Sequence, residues 1–186
     1  EFREGFRPAG DDILYGIIRD ALIPGFVKHL EKHAAPYASM ACANFFQSVD
    51  DAMSGSKSNF ANSILVPAAI SILSQFELAD ISVGVTQINN PAEYNQNVFK
   101  KILDDLAKSS GISEWPASSV ELDVSYTQFK GIVDNVLSRV ANNITLAIAN
   151  FDCDYVLLTG RPSKLPYVRS LFENMMIVPP DRLISL

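Results

Sequence analysis

Ser125-Tyr126-Thr127-Gln128 opens the most constraining stretch of the chain. A Ser hydroxyl at a helix N-cap accepts from the backbone N–H three residues on, and a Gln there reaches back toward the cap. Behind it come Phe129, Ile132, Val133, Val136, Leu137, Val140, Ile144, Ala147, Ile148 and Phe151. Nearly every step is three or four, the spacing of one helix face. The pattern predicts one long helix whose apolar stripe meets a core along its whole length. Asp154–Thr159 follows as a short apolar run ending at Gly160. Apolar on both faces, it suits a central strand covered on both sides. Pro166 then stands in the first turn of a helix through Val168, Leu171 and Phe172. A strand-like Arg182–Leu186 follows Pro179-Pro180 and closes the chain. Helix, strand, turn, helix, strand in succession implies an α/β layer.

The earlier part of the chain reads as mostly helical. A helix carrying Ile13, Leu14, Ile17, Ile18 and Leu22 is expected, with Asp11 or Asp12 near its N-cap. Pro24-Gly25 breaks or kinks it. Helical character resumes through Phe26, Val27 and Leu30, and residues 37–53 read as a further helix. Ser54–Asn59 is small and polar, which predicts a loop. Phe60–Phe76 then reads as a buried helix kinked at Pro67, with Asn62, Ser63, Ser71, Ser74 and Gln75 arguing against lipid around it. Ala79–Asn89 alternates at Ile81, Val83 and Val85, a strand period. Asn90-Pro91 starts a helix through Phe99, Ile102, Leu103 and Leu106 that Gly111 ends, and Trp115 lies in the loop beyond.

Composition narrows the function classes. With 15 Lys+Arg against 21 Asp+Glu, the 186 residues carry a net charge of −6. That sign argues against a nucleic-acid partner. Hydrophobic residues make up 48 %, too many for a disordered chain. The apolar runs fall short of the ~18 residues of a membrane span, so no span is expected. Cys42 and Cys153 have no metal-type spacing and read as buried thiols. The chain opens at Glu1, without Met and without a signal-peptide pattern, and is read as a piece of a longer protein.

The stretch with most chemistry is Leu158-Thr159-Gly160-Arg161-Pro162-Ser163-Lys164-Leu165-Pro166. Ligands of open α/β sheets gather beyond the carboxyl ends of strands. Gly160 allows close approach to the backbone, the following helix start offers free N–H groups, and Arg161 and Lys164 bring two cations. The plain alternative is a tight turn with solvated cations. His29 and His33, at i and i+4, lack the further ligands of a zinc site and read as a solvated face. Asp11-Asp12 and Asp50-Asp51 read as helix starts or loops, and Asp104-Asp105 as a solvated helix face. The sequon Asn143-Ile144-Thr145 falls inside the long helix and is read as coincidental. Phe45, Phe46, Phe60 and Phe76 read as core.

The block DYVLLTGRPSKLPYVRSLF at 154–172 resembles the adenosine-contacting segment of the actin and seventy-kilodalton heat-shock chaperone superfamily. There a strand leads into a paired glycine, a hydroxyl residue, a basic residue and an apolar-Pro helix start. Gly160 stands at the first glycine, Ser163 at the hydroxyl position, Lys164 at the basic position, and Leu165-Pro166 at the helix start. Ala9-Gly10-Asp11-Asp12-Ile13 resembles the segment after the superfamily's second phosphate loop. The wording LTGRPS-x-LP, with PPDR at 179–182, is most similar to the bacterial SrfB virulence-factor family.

The resemblance implies an α/β fold, the second lobe of an actin-like, ribonuclease H-like ATPase. Residues 1–30 and 123–186 would form its core, and 31–122 a helical subdomain. It implies ATP or ADP with magnesium in the intact protein, held between this lobe and a first lobe of the same chain. Gly10 and Asp11 would lie toward the phosphates, and Gly160, Arg161, Ser163 and Lys164 toward the adenosine. Other virulence-associated proteins are the implied partners and the bacterial cytoplasm the implied compartment, with secretion left open. Two departures stand out. Arg161 replaces the second glycine, and no D-x-G-x-x-T phosphate loop occurs in the sequence. This piece alone is therefore not expected to hydrolyse ATP. A non-enzymatic interaction module with a degenerate pocket is the other reading.

Overall fold

The computed structural model describes residues 10–34, 51–78, 85–88, 104, 122–151, 153–175 and 179–185. They are mostly helical, with a small parallel sheet that carries the α/β content. The chain divides into two compact units. The first comprises Glu1–Ile17, Leu73–Val85 and Ser125–Leu186; the second comprises Ile18–Ile72 and Thr86–Val124.

In the first unit, α1 (Gly10–Ile17) packs on the long α5 (Tyr126–Phe151). Both Asp11 and Asp12 lie in the first turn of α1, where carboxylates face the positive end of the helix dipole. Ile13 and Ile17 are fully buried, as their four-residue spacing requires. Gly16 lies close against α5. A Cβ built on it would lie 2.7 Å from Ile132 Cγ2 and 3.6 Å from Val136 Cγ2. The Ser125 cap forms as its spacing predicts, with the Gln128 backbone N–H donating to Ser125 Oγ at 3.2 Å.

The stripe behind that cap is shorter than its sequence pattern. Phe129, Ile132, Val133, Leu137 and Ala141 are buried. Beyond Ala141, Ile144, Ala147 and Ile148 are only half-buried, and Phe151 is 52 % exposed. The periodicity marks which face is apolar; it does not say how far a neighbour extends along that face.

The other end of the first unit is a β–α–β unit. Strand β3 (Val156–Leu158) pairs in parallel with β4 (Leu183–Ser185), in the register Val156 to Leu183 and Leu158 to Ser185. Between them lies α6 (Pro166–Met175), whose buried Val168 and Phe172 sit four apart. A crossover helix is the usual link between parallel neighbours. The expectation of a strand covered on both faces is corrected here. Leu158 and Leu183 are buried, but Leu157 is 58 % exposed, so one sheet face is open.

In the second unit, α2 (Ile23–Ala34) and α3 (Asp51–Phe60) each adjoin a wide helical turn of π type. One such turn, Ile18–Leu22, leads from α1 into α2. The other, Ala61–Leu65, leads from α3 into α4 (Val66–Leu78). In each case a proline, Pro24 or Pro67, sits two residues past the wide turn. A proline ring clashes with the carbonyl four residues back and donates no hydrogen bond. Widening the preceding turn relieves both problems, so each helix continues through the predicted kink. Phe26 packs edge-on against Phe60, ring centroids 5.2 Å apart, in the core of this unit.

The predicted loop at 54–59 is helix. Its small polar residues are tolerated because Gly55, Ser58 and Asn59 face solvent while Phe60 anchors the end of α3. The predicted buried helix from Phe60 is present, with Ile64, Leu65, Ala68, Ala69, Ile72, Leu73 and Phe76 buried. Lys57–Glu77, 21 residues, is long and apolar enough to cross a membrane by length and composition. Core helices meet that criterion too, and this one carries the polar Asn62, Ser71, Ser74 and Gln75. Of the strand read over 79–89, Val85–Ile88 forms β1, paired with β2 (Leu122–Ser125). The helix read over 91–111 lies outside the described residues except for Asp104, which is helical. Residues 37–50, with Cys42, Phe45 and Phe46, and the Trp115 loop also lie outside them.

Two substitutions test this packing by chemical denaturation. Gly16→Ala gains up to about 1 kcal/mol of helix propensity but meets the rigid Ile132 methyl, and overpacking costs about 1–3 kcal/mol. The expected net effect is destabilisation, with Gly16→Val clearly worse. Ser125→Ala is expected to cost about 1 kcal/mol through loss of the cap.

Candidate functional site

The turn after β3 holds its own backbone. Gly160 has φ +92° and ψ 169°, a region that side chains avoid. Its carbonyl accepts twice from Ser163: from the backbone N–H at 3.1 Å and from Oγ at 2.6 Å. Arg161–Lys164 form one 3₁₀ turn, and the Leu165 N–H donates to the Pro162 carbonyl at 3.1 Å. Ser163 and Leu165 are buried, which seats the turn against the core. The Leu165 carbonyl then accepts from the Val168 and Arg169 N–H groups as α6 begins.

The Arg161 side chain is clasped from far along the chain. Its Nε donates to Glu77 Oε1 at 2.7 Å, and Nη2 donates to Ser74 Oγ at 2.9 Å. Both partners lie on the last turns of α4. The Arg161 side chain is 42 % exposed and that of Glu77 17 %, so the pair sits at a half-desolvated surface. Lys164 is exposed beside it.

An aromatic cluster backs this clasp. Phe76 stacks on Phe129, centroids 4.1 Å apart and planes 14° apart. Phe76 also meets Tyr126 at 6.0 Å, and Tyr126 meets Tyr167 edge-on at 6.5 Å. The Tyr167 hydroxyl donates to Asp134 Oδ1, and Lys130 Nζ lies 5.0 Å from the Tyr167 ring centre. Burial, and then the Asp134 carboxylate, push the Tyr167 hydroxyl well above the ordinary tyrosine range. Burial raises Tyr126 as well. Tyr167 therefore stays a neutral hydrogen-bond donor here, not a base.

The structure thus brings Gly160 and Ser163 into direct contact and ties Arg161 to Glu77 and Ser74. Gly10 and Asp11 open α1, with Asp11 exposed. His29 and His33 both fall on α2. Among the described residues, no three His, Cys, Asp or Glu side chains gather as metal ligands. Cys153 is half-buried and free. Thr145 of the sequon donates to the Ala141 carbonyl at 2.8 Å within α5. Sequence reasoning missed Glu77 as a partner because 84 positions separate it from Arg161.

No curated protein and no solved structure matches the chain. The family model described as virulence factor SrfB matches residues 1–186. That match spans the β–α–β unit, its clasped turn and everything before it, and the chain belongs to the SrfB virulence factor family.

Proposed function

We propose that this chain supplies one wall of an adenine-nucleotide cleft in an SrfB-family protein, with ATP or ADP and magnesium acting as a conformational switch. The observation that carries the reading is the Gly160 turn at the carboxyl end of β3, in a parallel β3–α6–β4 unit. Such ends are where α/β sheets take ligands. Support also comes from the resemblance of residues 154–172 and 9–13 to the actin and heat-shock chaperone superfamily. In this reading Gly160, Arg161, Ser163 and Lys164 serve the adenosine, and Gly10 and Asp11 the phosphates.

The residues present fit the nucleoside end better than the metal end. A planar guanidinium held by its edge keeps its face for a base, and Gly160 leaves the backbone approachable. Bound magnesium would neutralise phosphate charge, and its ligands belong to a first lobe of the same protein in this reading. When that lobe closes, the nucleotide would hold the two together, which is how binding becomes a switch. The work of this chain is to bind and orient.

A second reading is favoured by one observation: the Arg161 charge is already paired with Glu77. In it the fold is a scaffold with a degenerate pocket, docking other virulence-associated proteins. Titration calorimetry on the intact protein separates the two. The switch reading expects ATP binding by the wild type, weakened about threefold to tenfold in Arg161→Gly by loss of the stacking face. Binding by Arg161→Gly but not by the wild type would establish the scaffold reading instead.

A further inference from the structure

We propose that Glu77, with Ser74, cancels and parks the Arg161 charge, so that Glu77 keeps phosphate groups away from this turn. The ligand identity rests on the nucleotide reading; the role of Glu77 does not. Arg161 and Lys164 look in the sequence like a cationic pair made for phosphate. The structure divides them. Arg161 gives Nε to the Glu77 carboxylate at 2.7 Å and Nη2 to the Ser74 hydroxyl at 2.9 Å. That is the same edge of the guanidinium fork that a phosphate would take bidentately. An anion approaching it meets a carboxylate of its own sign, held in place by the α4 helix. Lys164, exposed, carries what phosphate attraction the turn retains.

Half-exposed ion pairs contribute little to stability. The consequence of this pair is therefore felt in what the guanidinium can do next. With its charge matched and one edge occupied, Arg161 offers a flat face and little field. A turn built this way selects an uncharged planar group over a phosphate. Removing the carboxylate shifts that preference toward phosphate. Glu77→Gln suits this purpose because its amide oxygen can still accept from Nε while the charge is gone.

The test uses the intact protein and tripolyphosphate, a bare polyanion, in titration calorimetry at low salt. E77Q is expected to bind about threefold to fivefold tighter than the wild type, the range that an exposed charge pair supplies. The gain should fade as salt is raised, and it should vanish in the double variant E77Q/R161A. Ser74→Ala loosens the clasp but leaves the Glu77 charge, so it should gain less than E77Q. If the Gln variant does not fold, Glu77→Ala takes its place. No gain in E77Q, a gain that survives R161A, or an equal gain in Ser74→Ala would overturn the proposal. Adenosine and ATP are titrated alongside. A tripolyphosphate gain in E77Q with neither nucleotide ligand bound would sink the nucleotide reading and leave the role of Glu77 standing.

Discussion

The Phe76–Phe129 stack decides where the chemistry of the turn can be. Both rings are almost fully buried and lie nearly parallel at 4.1 Å. Truncating a buried Phe costs about 3–5 kcal/mol, and the ring pairing adds about 0.5–1.5 kcal/mol to the contact. An exposed ion pair is worth about 1 kcal/mol or less. Packing therefore places the clasp, and the clasp does not place the packing. With Phe76 fixed on the first turns of α5, its helix neighbours Ser74 and Glu77 are fixed too. They then meet Arg161, whose own position follows from the turn after β3.

Local signals were legible and long-range ones were not, for physical reasons. The Ser125 cap and the helix behind it involve residues within four positions of one another, and both formed as their spacing requires. Pro166 began its helix as a fixed φ favours. The stretch 54–59 misled because small polar residues disfavour helix only weakly, by tenths of a kcal/mol up to about 1 kcal/mol each. The buried Phe60 next to them outweighs that. The end of the α5 stripe misled because burial depends on a neighbour, and periodicity carries no information about where a neighbour stops. The pairing of Arg161 with Glu77 had no local trace at all. In the candidate site, then, the turn and its residues were readable, and the electrostatic state of those residues was not.

Where the resemblance would call for a second glycine, this chain has Arg161. In the resemblance to the actin and chaperone superfamily, two glycines stand together and suggest that both are needed by the backbone. Among the described residues, Gly160 is the glycine with positive φ. Arg161 begins the 3₁₀ turn, where side chains are allowed, so the larger residue brings no backbone strain. Its side chain is directed to α4 and held there by two hydrogen bonds. The Arg161 side chain thus has a defined place in the fold.

The conformation of the turn and its charge are consequently governed by separate parts of the chain. Conformation is set locally, by Gly160 and by the two bonds from Ser163 to the Gly160 carbonyl. Charge is set remotely, by Glu77 at the end of α4. The two meet within a single nine-residue stretch, Leu158–Pro166. A change at Glu77 acts on the charge beside Arg161, whereas Gly160 and Ser163 hold the shape of the turn. A change at Gly160 would instead strain the turn itself, because its φ of +92° disfavours a side chain. Glu77 is thus a position where the charge beside the turn can change at little cost in stability, and Gly160 is one where the backbone shape leaves no such freedom.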